Sequence, residues 1–273
     1  MFRYSEVRMR FAKRSIVIFI MVSLALACLA YSVFAGYDDL DGVVWVIDKE
    51  LNETIRLSSE GINKRKSLSG FKSPRDIDID RNTGTVWVTD FENNRIVQVS
   101  RDGRMKKFII NDGISEPFHS AVDPKDRVLW IANSGRGEVI KFSLDLKVEL
   151  FRLKQFKRPH DIVVSPYDGS IWITDIENKM VIKLSSDGKI LRKIKRDLVN
   201  PEHLAVSALD GSCWVTDRTE SVVVRISADG KKILAKSSGF GKPFIPTVNP
   251  VDGSCWVSIF REGQIVKLAP DGR

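Results

Sequence analysis

The chain has 273 residues, 43% of them apolar and 29% charged, with no low-complexity tract. That balance excludes a disordered or collagen-like chain and allows a sizeable core in one or two domains. Its formal net charge is +8, but half of the excess lies in the first 35 residues, where Arg3, Arg8, Arg10, Lys13 and Arg14 face only Glu6; no strongly basic domain is left to argue for a nucleic-acid partner.

The first element is a leader. Those basic residues precede "SIVIFIMVSLALACLAYSVFA" (15–35), and Val33-Phe34-Ala35 offers small residues for cleavage. The apolar run suits a signal peptide and is also long enough to span a bilayer as a helix. Residues 1–35 are therefore expected to be a signal peptide or signal anchor, and 36–273 the folded part. The basic flank places that part outside the cytoplasm, secreted or held at the membrane by the uncleaved helix. A lipoprotein Cys28 fits less well, because Ala25 stands where an aliphatic residue is preferred.

From residue 36 onward the chain is an array. Trp45, Trp87, Trp130, Trp172, Trp214 and Trp256 are its six tryptophans, spaced by 42, 43, 42, 42 and 42 residues. A period near forty is read before any single residue. Within each unit a Pro-led apolar alternation comes first: "SPRDIDID", "RPHDIVVSP", "NPEHLAVSA". A turn such as "YDGS" or "LDGS" leads to the Trp strand, "TVWVTD", "SIWITD" or "SCWVTD". A polar loop follows, then "NRIVQVS", "KMVIKLS" or "SVVVRIS", a second turn ("RDG", "SDG", "ADG") and a charged strand. Period-two alternation between Asp-Gly turns predicts antiparallel strands joined by hairpins. Four strands per forty residues is one blade, so the predicted fold is an all-β propeller of about six four-stranded blades. Its first unit starts at the second strand and its last stops before the fourth, so both are expected to be incomplete.

The Trps are expected to wedge between neighbouring sheets. Just before them stand Val44, Val86, Leu129, Ile171, Cys213 and Cys255, so each Cys replaces a buried aliphatic residue. The Asp closing the Trp strand (Asp48, Asp90, Asp175, Asp217) recurs in nearly every unit and is expected to cap the adjoining loop. Asp76, Asp78 and Asp80 suggest calcium, but an EF-hand loop needs Gly and Glu where Arg81 and Trp87 stand. Lys-rich stretches such as "KILRKIKR" are read as edge strands protected against association, which again leaves no nucleic acid expected. No P-loop, dinucleotide fingerprint or "G-x-S-x-G" elbow occurs.

The unit P-x-[HD]-[IL]-x-V … DG-x-x-W-[VI]-T-D … V-x-[KR]-[IL]-S-x-DGK resembles the NHL-repeat β-propellers over about residues 42–273. That group includes protein- and nucleic-acid-binding modules and the amidating lyase of peptide hormone processing. Its fold relatives include streptogramin (virginiamycin B) lyases and gluconolactonases. The resemblance implies the fold and leaves activity open.

The site candidates lie where the inner strands begin. Eleven residues before each Trp the units read Asp76, His119, Asp161, His203 and Ile245. Imidazoles and carboxylates converging there suit a divalent ion such as Zn or Ca, and the amidating lyases that the repeats resemble hold zinc through histidines at such a place. His160 stands one residue out of step and is expected to point to the other side of its strand. Glu116 and Glu202 are the acid/base candidates beside them. Two readings follow: a module binding a peptide, protein or glycan at its axial face, or a metal-dependent lyase or lactonase at the channel mouth.

Overall fold

The computed structural model describes residues 35–38, 43–58, 61–104, 106–145 and 147–273. Its strands fall in chain order into six antiparallel sheets. Blade one holds β1 (Ala35–Asp38), β2 (Val43–Asp48), β3 (Glu53–Ser58) and β4 (Gly61–Leu68); blade two holds β5 (Pro74–Asp80), β6 (Thr85–Asp90), β7 (Arg95–Val99) and β8 (Lys106–Ile110). Blade three is β9 (Pro117–Asp123), β10 (Val128–Asn133), β11 (Glu138–Ser143) and β12 (Glu149–Leu153). Blade four is β13 (Pro159–Val164), β14 (Ile171–Asp175), β15 (Met180–Leu184) and β16 (Ile190–Ile194). Blade five is β17 (Pro201–Val206), β18 (Cys213–Asp217), β19 (Val222–Ile226) and β20 (Ile233–Ser237); blade six is β21 (Pro243–Val248), β22 (Cys255–Ile259) and β23 (Gln264–Leu268).

The first strands of blades two to six pack side by side around the axis. Phe244 and Ile245 of β21 pack on the cluster that holds Trp45, Ile47 and Ile77, which brings the sixth blade round to the first two. Blade six has three strands, as the sequence implies. Blade one corrects the expectation of a missing inner strand: β1 pairs with β2 from Ala35↔Val46 to Asp38↔Val43. It begins without the proline that marks the other inner strands. The expected leader falls almost wholly on residues 1–34, which lie outside the described residues; among the described residues no helix is long and apolar enough to cross a membrane.

Five seams repeat one recipe. The Trp of one blade packs on four positions of the next, the residues flanking that blade's Trp and their partners on its third strand. Trp130 meets Ile171, Ile173, Ile182 and Leu184. Trp45 meets Val86, Val88, Val97 and Val99, and Trp172 meets Cys213, Val215, Val224 and Ile226. The first five indoles are fully buried, whereas Trp256 is half-buried. Cys213 and Cys255 are thus free, buried thiols in aliphatic positions.

A second recurrent contact crosses four of the seams. Opposite each Trp on the third strand lies a long polar residue: Arg56, Gln98, Lys141, Lys183, Arg225 and Lys267. Four of these donate to a backbone carbonyl 45 residues on, in the turn of the next blade: Arg56 to Arg101 O (3.0 Å), Lys141 to Ser186 O (2.7 Å), Lys183 to Ala228 O (2.7 Å) and Arg225 to Pro270 O (2.5 Å). In Lys141, Lys183 and Arg225 the charged end lies over the indole of the same blade; Lys183 Nζ is 5.2 Å from the Trp172 ring centroid. The Asp of the Asp-Gly turn completes the bond set, with Asp168 2.8 Å from Lys183 and Asp210 2.6 Å from Arg225. The turn itself needs glycine: Gly211 has φ 69°, and a Cβ there would meet the Tyr167 ring at 2.6 Å.

Candidate functional site

Every inner strand from β5 to β21 carries an irregularity just after its proline. On β5 the pairing steps from Pro74↔Asp90 to Asp76↔Thr89, and on β17 from Pro201↔Asp217 to His203↔Thr216. A bulge sets two consecutive residues against one partner and re-aims side chains that strict alternation would send to opposite faces. Two tiers result around the axis. Arg75, Phe118, His160, Glu202 and Phe244 form the outer tier, all half-buried except the buried His160. Asp76, His119, Asp161, His203 and Ile245 form the inner tier, of which the first four are buried.

The threonine of "W-[VI]-T-D" holds the bulge in shape. Thr174 Oγ1 accepts from Asp161 N–H (2.9 Å) and donates to Glu202 O of the next blade (2.9 Å). Thr216 repeats this with His203 N–H (3.3 Å) and Phe244 O (2.6 Å). In blade three, where alanine replaces threonine, Ser134 Oγ donates instead to Pro159 O. These hydroxyls escaped the sequence reading, although their spacing to the Trp was visible.

The inner tier alternates carboxyl and imidazole groups across four blades. His119 Nδ1 lies 3.6 Å from Asp76 Oδ1 and 3.1 Å from Asp161 Oδ1, and His203 Nδ1 lies 3.5 Å from Asp161 Oδ2. Both carboxylates also fasten the next blade: Asp76 accepts from Ser120 N–H (2.9 Å) and Asp161 from Leu204 N–H (2.7 Å). The structure therefore brings Asp76, His119, Asp161 and His203 together. His160 corrects its expectation. The bulge turns it toward the axis, where its ring centroid is 5.2 Å from that of His203 and 5.9 Å from that of His119, and its Nδ1 lies 3.1 Å from Glu202 O.

Burial and charge oppose each other in this tier. For Asp161 burial works against ionisation, yet His119 and His203 outweigh it and hold the carboxyl well below its usual range. Asp76 goes the other way, raised by burial more than His119 can offset. Burial would lower His119, but Asp161 and Asp76 raise it. His203 is lowered by burial despite Asp161, and His160 by burial and then by its two imidazole neighbours.

The acid/base candidates separate. Glu202 lines a cavity of about 450 Å³ with Asn200, Arg218 and Lys242, and burial raises its carboxyl against the pull of Arg218. Glu116 stands on the exposed rim, 3.9 Å from Arg158, with φ 45° directly before Pro117. At the same mouth Lys49, just beyond β2, is lowered to about 7 by burial and by Arg75. The repeated aspartates tie down the loops that lead into the inner strands. Asp90 accepts from Lys72 N–H (2.6 Å), Asp175 from Arg158 N–H (2.9 Å) and Asp217 from Val199 N–H (2.6 Å); Asp48 accepts from Leu51 N–H (2.9 Å).

As a donor set, His119, Asp161 and His203 offer two imidazole nitrogens and a carboxylate oxygen, all within 4.8 Å of one another. This fits a divalent transition ion such as zinc. Calcium, which prefers six to eight oxygens, fits it poorly.

A family model described as the virginiamycin B lyase family matches residues 27–273. No match was found among curated protein sequences. Among solved structures, a streptogramin B lyase superposes with a TM-score of 0.75 at 16% identity, over 88% of this chain and 80% of that one. A catalytically inactive histidine-to-alanine variant of virginiamycin B lyase from Staphylococcus aureus, solved with quinupristin, gives 0.75 at 17% identity over 90% and 85%. A nidogen/laminin complex gives 0.63 at 17% over 76% and 80%. At these identities the superpositions establish the propeller fold.

Proposed function

The chain belongs to the virginiamycin B lyase family, and from that premise we propose that its axial mouth binds a peptide-like ligand and acts on it as a lyase. The observation that carries the reading is the meeting of His119, Asp161 and His203, from three successive blades, with the carboxylate 3.1 and 3.5 Å from the two imidazoles. Lyase chemistry needs a group to withdraw a proton from carbon and one to return a proton to the leaving atom. Imidazoles oriented by a buried carboxylate suit both tasks, and Glu202 beside the cavity is a further proton carrier. Were a divalent ion held by His119, Asp161 and His203 instead, it would supply Lewis-acid polarisation of a ligand carbonyl and leave the proton transfers to Glu202. The chain's own part is to orient the ligand between the aromatic side chains of the outer tier and to keep water from the inner one. The export expected from residues 1–35 belongs to the same proposal, placing the site outside the cytoplasm.

Quinupristin, the ligand named with the Staphylococcus aureus relative, is the first substrate to try. Elimination cleaves a bond without adding water, so the product atoms keep the substrate's total mass, whereas hydrolysis adds one water; mass spectrometry separates the two. Turnover with unchanged mass, reduced about 100-fold or more in His119→Ala and His203→Ala variants that keep their circular dichroism, is the expected result. Binding of quinupristin with no turnover would reduce the site to a recognition module, and neither binding nor turnover would remove the peptide-like ligand.

A further inference from the structure

Two arginine clamps of similar build stand on the rim. The Arg75 guanidinium lies over Phe91 (4.6 Å) and Phe118 (5.0 Å), and that of Arg218 over Phe260 (5.2 Å) and Phe244 (5.8 Å). They differ in their counter-charge. Arg218 has Glu202 at 3.7 Å. Among the described residues no carboxylate comes within ion-pair distance of Arg75. The acidic groups that influence it, Glu92 and Glu116, are engaged by Lys72 at 3.3 Å and Arg158 at 3.9 Å. Arg158 and Lys49 add like charge nearby. Arg75 Nε is shut off from solvent and makes no hydrogen bond.

A partly buried cation without a counter-ion is costly, and a second cation beside it raises the cost. Aromatic faces return only about 0.5–2 kcal/mol of it, and they offer no acceptor to the donors on the edge of the guanidinium. That edge matches a planar or tetrahedral oxyanion through two parallel N–H bonds. We propose that Arg75, held flat against Phe91 and Phe118, anchors an oxyanion group, carboxylate or phosphate, of the ligand that enters the axial mouth. This deepens the axial-site reading and rests on it for the ligand's place, while the anion contact itself needs no turnover.

The test is equilibrium binding to the full chain, followed calorimetrically and through the Arg75 Nε–H resonance. The probes are N-acetylglycine, its uncharged amide N-acetylglycinamide, and inorganic phosphate. At least one anion should bind and move the Arg75 signal while the amide does not. Arg75→Gln should weaken that binding at least tenfold and Arg75→Lys less, and Arg104→Gln, which removes the same charge from an exposed site, should leave it unchanged. Preference for N-acetylglycine over phosphate, or the reverse, assigns the ligand's group. An Arg75 signal that stays fixed with both anions, or affinities equal in the wild type and Arg75→Gln, overturns the proposal. Because no probe is turned over, failure of the lyase assay leaves this result standing, and the reverse holds too.

Discussion

Asp78, one step inside the bulge on β5, shows how a single side chain couples blade packing to pH. Its Oδ2 accepts from Val122 N–H of the next blade at 2.6 Å and its Oδ1 from Ile79 N–H at 2.8 Å. Burial, against the help of the Val122 N–H, pushes its carboxyl up to about 7. With the folded value above the unfolded one, the native state holds a proton that the unfolded chain releases. The resulting stability is full below about pH 4 and is lost as pH rises through about 7. Asp78→Asn cannot titrate. Urea denaturation at pH 5 and pH 8 should therefore show the stability difference between variant and wild type shifting toward the variant at the higher pH; a difference that stays constant would mean the carboxyl titrates normally.

At the scale of the element, the bulge at the head of each inner strand decides what the site can be. Alternation in "RPHDIVV" assigns His160 and Asp161 to opposite faces; the structure turns both to the axis because Thr174 opposes the pair alone and bonds the strand on each side. The eleventh-position row was legible because it repeats in register with the Trp. The outer tier was not, because Arg, Phe, His, Glu and Phe share no side-chain chemistry that a repeat search would catch. β1 escaped notice for a similar reason: it lacks the proline that identified the others. Thr174→Val keeps the volume and removes the hydroxyl, leaving Glu202 O and Asp161 N–H without that partner. It should cost about 1–3 kcal/mol in denaturant melts and displace the imidazole resonances of His160 and His203. An unchanged imidazole spectrum would show that the bulge holds without the threonine.

Across the whole molecule, stability is shared among seams of which five follow one plan. Removing one indole opens a void between two sheets, and Trp172→Ala should lower unfolding free energy by about 3–5 kcal/mol. The loss should reach beyond blade four, because Trp172 packs on Cys213, Val215 and Val224 of blade five. Hydrogen exchange should quicken in β14 and in β18 together; acceleration confined to β14 would mean that the blades behave as independent units. The position of each indole was plain from the period. The residue facing it across the sheet was not: Lys141 and Lys183 look in sequence like solvent-facing lysines of an alternating strand, and only the fold shows them buried under the neighbouring turn.

Those four cation-to-carbonyl bonds all run the same way, from the third strand of one sheet to the turn of its successor. At those four seams the wall therefore has a handed grammar, like links joined hook to eye. Blades four and five, which carry both parts, can be duplicated or exchanged without mismatching their neighbours. The axial cluster has no such freedom, since its histidines and aspartates come from different links and exist as a group only where those links stand in this order. Gains and losses of repeats can thus preserve the wall while rewriting the chemistry at its centre.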